Sequence, residues 1–176
     1  YWRLFAVLAI AAAAALPVLI GDYAIVIATE IAIAALLAAS LHFGMGLGGI
    51  ISFGHAAFFG LGAYSVALAV QHTDAPFAAA LLLAPIAAGL VGLLIGRVVL
   101  RSHGVYAAML TLAFAQILWS TAVQWVDVTG GDNGLLGLWS VLPRALASPT
   151  VYYGLTLAIV VASLVVLRRA ALAPFG

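Results

Sequence analysis

The sequence predicts an all-α integral membrane protein, a bundle of about six transmembrane helices, and three observations carry that prediction. Of 176 residues, 67% are hydrophobic and only 6% charged, with a mean hydropathy of +1.29. Soluble domains are roughly half apolar and about a quarter charged, and a soluble fold this small leaves too much of its surface in water to hide such a composition. Apolar stretches recur along the chain, each near the roughly 20 residues a helix needs to cross the hydrocarbon core. Nearly all the charge falls between those stretches.

The stretches lie at about 4–20, 23–41, 45–70, 77–96, 105–126 and 151–167, and together they form one membrane domain over 1–176. The first follows Arg3 and meets Pro17 near its end, where proline stops a helix. A basic start, an apolar run and a small-residue end also fit a signal peptide, and both readings stay open for this stretch. The second carries Glu30, and the third is rich in glycine. The fourth holds Pro85 in mid-helix, where the missing N–H and the ring predict a kink. The fifth carries Gln116, and an outer loop over 127–150 leads to the sixth, which ends at Arg168 and Arg169.

Threading the chain with its N-terminus in the cytoplasm sorts the charges by sign. Arg3, Arg97, Arg101, Arg168 and Arg169 fall inside and only Arg144 outside, whereas Asp22, Asp74, Asp127 and Asp132 all fall outside. The arginine asymmetry sets the orientation, and Tyr23, Trp125, Tyr152 and Tyr153 stand where an outer aromatic belt belongs.

Composition also excludes several functions. The six basic residues are all scattered arginines, which leaves no basic patch for nucleic acid. Without cysteine there are no disulfides and no cysteine-ligated metals. Without lysine there is no phosphate-binding P-loop, so any ATP must be bound and hydrolysed by partner chains, and no cofactor is expected on this one. No two histidines stand four apart and no acids cluster, so no metal site, catalytic residue or enzyme activity is expected.

The third stretch reads GMGLGGIISFGHAAFFGLGAY over 44–64, with seven glycines. Glycine weakens helices, so this density needs a cause. At helical spacing Gly44, Gly48, Ser52, Ala56 and Gly60 form one row of small residues, a face on which another backbone can pack closely. The alternative is a partly unwound or re-entrant segment over 44–54, tolerated at membrane depth only where protein covers it or it lines a wet cavity. The spacing Gly44, Gly46, Gly49 imitates a dinucleotide fingerprint, but no strand precedes it.

Polar side chains in hydrocarbon cost roughly 2.5–3.5 kcal/mol when ionisable, so each needs a partner or a wet cavity. Counted along continuous helices, Glu30 lies about 10 Å below the outer surface and His55 roughly 16 Å above the inner one, with Gln116 at similar depth. These three are expected to meet near the midplane and, with Ser52, to line a solute path; the alternative is that each bonds a nearby carbonyl or hydroxyl separately. His42, His72 and His103 sit at interfaces as amphipathic anchors. In the outer loop, Thr129, Gly130, Gly131, Asp132, Asn133 and Gly134 form a run of turn residues, and the Asp-Asn-Gly sequence favours left-handed backbone. A calcium loop is excluded because Leu138 stands where its twelfth-position acid belongs. The apolar 135–139 segment is expected to lie on the membrane surface or cap the bundle, and the loop is a candidate contact for an external partner.

Two stretches together carry a resemblance. SFGHAAFFGLGAY over 52–64 and GVYAAMLTLAFAQILWSTAVQWVDVTGGDNGLLGL over 104–138 resemble the branched-chain amino acid ABC importer permeases of the LivM type, through a glycine-rich SFGHAAFFGxGAY helix, YxAMLTLAF and an outer TGGxNGL. The resemblance covers most of residues 36–140. It implies a multi-pass permease subunit of a bacterial inner-membrane importer, forming half of a path for leucine, isoleucine or valine. The implied partners are a homologous permease subunit, two cytoplasmic ATPase subunits and an external substrate-binding protein. The closing APFG resembles the opening of the family's ATPase-docking segment, and the first residue is Tyr1 rather than methionine, so a fragment ending before that segment is expected. A urea or amide permease on the same scaffold and an ion-coupled carrier or channel are the alternatives.

Overall fold

The computed structural model describes residues 13, 15–17, 21–46, 49, 52–73, 76–138 and 143–173. Those residues are helical almost throughout, with no strand among them. The elements are α1 (Asp22–Gly46), α2 (His55–His72), α3 (Phe77–Val99), α4 (Val105–Gln124), the one-turn α5 (Val126–Thr129), 3-10 turns at Gly131–Asn133 and Arg144–Ala147, and α6 (Pro149–Ala171).

Four described helices, α1, α3, α4 and α6, are long and apolar enough to cross a membrane. Apart from residues 13 and 15–17, the expected first span lies outside the described residues. The third expected span, over 45–70, changes most. Its first residues belong to α1, which runs on to Gly46, and Ser52, Phe53 and Gly54 are not helical, so the next helix begins only at His55. α2 has 18 residues and includes Tyr64, Ser65, Gln71 and a histidine at each end, and it is not among the four spanning helices. Pro85 sits inside α3 without ending it.

The chain divides into two compact units, 1–43 with 144–176, and 44–143. In the first unit Tyr153 of α6 is 3% exposed, and its hydroxyl donates to the Ala13 carbonyl at 2.8 Å. Thr29 of α1 is buried and returns its hydroxyl to the Ile25 carbonyl at 2.8 Å, the i−4 bond that lets threonine enter an apolar helix. In the second unit α2, α3 and α4 pack together. Ile95, Val99 and Ala107 form its buried centre, covered by Phe58, Val91, Leu110, Phe114 and Leu118. α2 and α3 approach closely at Gly62, where an added Cβ would lie 3.5 Å from the Ala84 Cβ. Among the described residues no buried side-chain polar atom lacks a hydrogen bond.

Candidate functional site

The helix break before His55 is held by a specific contact. Thr111 of α4 is 7% exposed, and its hydroxyl donates to the Ala108 carbonyl at 2.7 Å. That leaves a lone pair free, and the Phe53 N–H donates to it at 3.1 Å. Gly54 lies flat against the same turn of α4. A Cβ there would collide with the Thr111 carbonyl oxygen and come within 3.4 Å of the Ala115 Cβ. Glycine is therefore dictated at 54 by the approach of another backbone, since its own φ of −94° is open to any residue.

Beside this contact a cleft of about 380 Å³ opens between α2, α3 and α4. Phe58, Ala88, Gly92, Ile95, Phe114 and Leu118 are among the apolar residues of its walls, and Ser52, His55 and Thr111 are the side chains of polar type that border it. The small residues of α3 recur at every fourth position, Ala88, Gly92 and Gly96, which keeps that wall low. An apolar concavity with a few polar groups on one border is the usual form of a small-molecule site.

Two of the four expected pathway residues thus border one cleft, Ser52 and His55. Gln116 lies on the exposed side of α4, outside the cleft, and Glu30 is exposed on α1 in the other unit. The 16 Å depth expected for His55 assumed helix from residue 45, and with 52–54 non-helical that count no longer measures depth. His42, His72 and His103 are exposed.

The small-residue row also needs correction as a single helical face. Gly44 lies in the last turn of α1, Ser52 precedes α2, and only Ala56 and Gly60 share a helix; Gly48 lies outside the described residues. A Cβ at Gly44 or Gly60 would meet nothing within 4 Å; among the described glycines of 44–64, another backbone crowds Gly54, and Gly62 would make ordinary contact with Ala84. Helical periodicity fails as a guide here because Ser52, Phe53 and Gly54 are not helical.

The described residues that follow α4 are held by specific contacts. α4 ends at Gln124, Trp125 turns the chain, and α5 brings Thr129 back against α4. The buried Thr129 hydroxyl faces the carbonyls of Ala122 and Trp125, the latter at 2.8 Å, and accepts the Gly131 N–H at 3.3 Å. Gly130 takes the left-handed conformation at φ +77°, and a Cβ there would strike the Gly134 carbonyl. Asp132 and Asn133 form the exposed tip. Sequence reasoning missed Thr111, although a hydroxyl residue inside an apolar span opposite a glycine-rich one was a usable signal.

Comparison with known proteins bears on the same helices. A family model described as branched-chain amino acid transport system / permease component matches residues 23–174. Over 133 residues the chain is 33% identical to the high-affinity branched-chain amino acid transport system permease protein LivM of Escherichia coli (strain K12), an alignment covering 76% of this chain and 31% of that protein. It is 32% identical over 133 residues, with the same coverage, to the protein of that name from Salmonella typhimurium (strain LT2). The chain spans about a third of the length of these curated relatives. No solved structure matches it at a significant level. The family is one of transport subunits rather than enzymes, and its apolar helices make this a multi-pass membrane protein. By a match that spans nearly all of its described helices, the chain belongs to the family of branched-chain amino acid transport system permease components.

Proposed function

We propose that this chain is membrane-spanning structure of a permease subunit in an ATP-driven importer of leucine, isoleucine or valine, and that the α2–α3–α4 cleft is part of the solute path. The observation that carries the proposal is the cleft itself. Carbon lines almost all of it, with Ser52, His55 and Thr111 on one border. A branched aliphatic side chain gains about 25 cal/mol for each Å² it buries on such a surface, whereas a small polar amide gains little there. This chain has no lysine with which to build a phosphate-binding loop, so ATP is hydrolysed by two cytoplasmic ATPase partners.

A homologous permease subunit completes the path, and an external binding protein delivers substrate to the ordered 129–134 turn. The protein sits in a bacterial inner membrane with its N-terminus in the cytoplasm, an orientation supported by five of six arginines falling on one side. Glu30 and Gln116, exposed on their helices, face the assembled path or a partner subunit rather than lipid, because hydrocarbon penalises them.

Uptake of labelled leucine, measured with the full permease, its ATPases and its binding protein, tests this. Uptake should stop when the ATPase is inactivated and persist when the proton gradient is dissipated. Gradient-driven uptake without the ATPase would identify an ion-coupled carrier, and uptake of urea or an amide in place of leucine would identify the sister permease. Glu30→Gln should be milder than Glu30→Leu if Glu30 works through hydrogen bonds; equal loss favours ion coupling.

A further inference from the structure

We propose that Thr111 is a positioning residue that fixes where α2 begins, and through it the places of Ser52 and His55 on the cleft. The proposal deepens the transport reading, because it concerns the same cleft. Three observations carry it. The Phe53 N–H precedes α2 and has no i−4 carbonyl of a helix to bond, so its partner must come from outside its own segment, and that partner is the Thr111 oxygen at 3.1 Å. The Thr111 proton is committed to the Ala108 carbonyl at 2.7 Å, so toward Phe53 the hydroxyl oxygen can act only as an acceptor. The third is steric: Gly54 rests on the Thr111 carbonyl with no room for a Cβ, so the segment is gripped at two successive residues by one turn of α4.

The physical consequence is a fixed helix start. An amide that is partly buried and left without a partner is costly, so residues 52–54 stay docked only while the hydroxyl is present. Without it they rewind onto α2 or take up water, and either outcome moves Ser52 and His55, which flank Gly54 and border the cleft. Thr111 acts through these residues and needs no contact with substrate.

This chain has no cysteine, so Ser52→Cys places one thiol at a half-buried point of the clasp. Its alkylation by N-ethylmaleimide is followed in membranes containing the full permease, any cysteines outside this chain having been replaced. Thr111→Val and Thr111→Ala should each speed the reaction about five- to tenfold, the factor carried by one hydrogen bond of ordinary net strength. Thr111→Ser keeps the hydroxyl and should react at the parent rate.

Equal rates in parent, Val and Ala backgrounds overturn the proposal. So does a Ser variant as fast as Val, because the threonine methyl would then be the operative group. If neither Val nor Ala variant accumulates while Ser does, the hydroxyl is a folding requirement and the positioning role falls. Because alkylation is read without transport, failure here leaves the importer assignment standing, and failure of leucine uptake leaves the clasp standing.

Discussion

Gly54, Thr111 and Thr129 show what single residues contribute in a chain whose surroundings are almost entirely apolar. Each threonine donates its proton to a carbonyl of its own neighbourhood and accepts on the same oxygen the N–H of a residue outside its own helix, Phe53 in one case and Gly131 in the other. Gly54→Ala should lower the resistance of the permease to detergent or thermal unfolding by about 1–3 kcal/mol, the usual cost of overpacking. An unchanged unfolding midpoint would show that α4 can give way at Thr111. The glycine density of 44–64 was legible in the sequence as a demand for close approach. Which glycine meets a backbone was not legible, because the answer lies on Thr111, and Phe53 and Thr111 are separated by 58 positions.

At the scale of elements, helix existence was easier to read than helix phase. Composition and length located α3 and α4 close to their observed limits, since a continuous apolar run of spanning length admits few other structures. The row from Gly44 to Gly60 assumed one uninterrupted helix, and the break at 52–54 removed that assumption. The packed face of α2 therefore uses Gly62 against Ala84 of α3 and leaves Gly60 open. Gly62→Leu should destabilise the permease by about 1–3 kcal/mol, whereas Gly60→Leu should leave its unfolding midpoint unchanged and act only on contacts with another chain. Equal destabilisation by both, read from detergent-unfolding midpoints, would contradict this assignment. In the loop after α4, Gly130 and Gly134 take positive φ, whereas Asp132 and Asn133 belong to a 3-10 turn and do not. The fold-back of Thr129 onto Ala122 was hidden, because nothing local marks a hydroxyl as buried.

For the whole molecule, hydropathy decided the class and the resemblance decided the family, while neither revealed the cleft. Its walls come from three helices and its small side from a four-residue spacing on α3 that in sequence looks like any alanine- and glycine-rich span. Glu30 and Gln116 stood out because they are polar; Ala88 and Gly92 did not, because small apolar residues are common in every membrane helix. The cleft accordingly gives the most direct test of whether this chain forms a path for branched aliphatic solutes. In the assembled importer, Ala88→Cys places a thiol on the cleft wall, and its alkylation rate is measured with binding protein and ATP present. Leucine should slow alkylation severalfold while urea leaves it unchanged; a rate indifferent to leucine, or slowed equally by urea, would contradict the assignment of this cleft to the transport path.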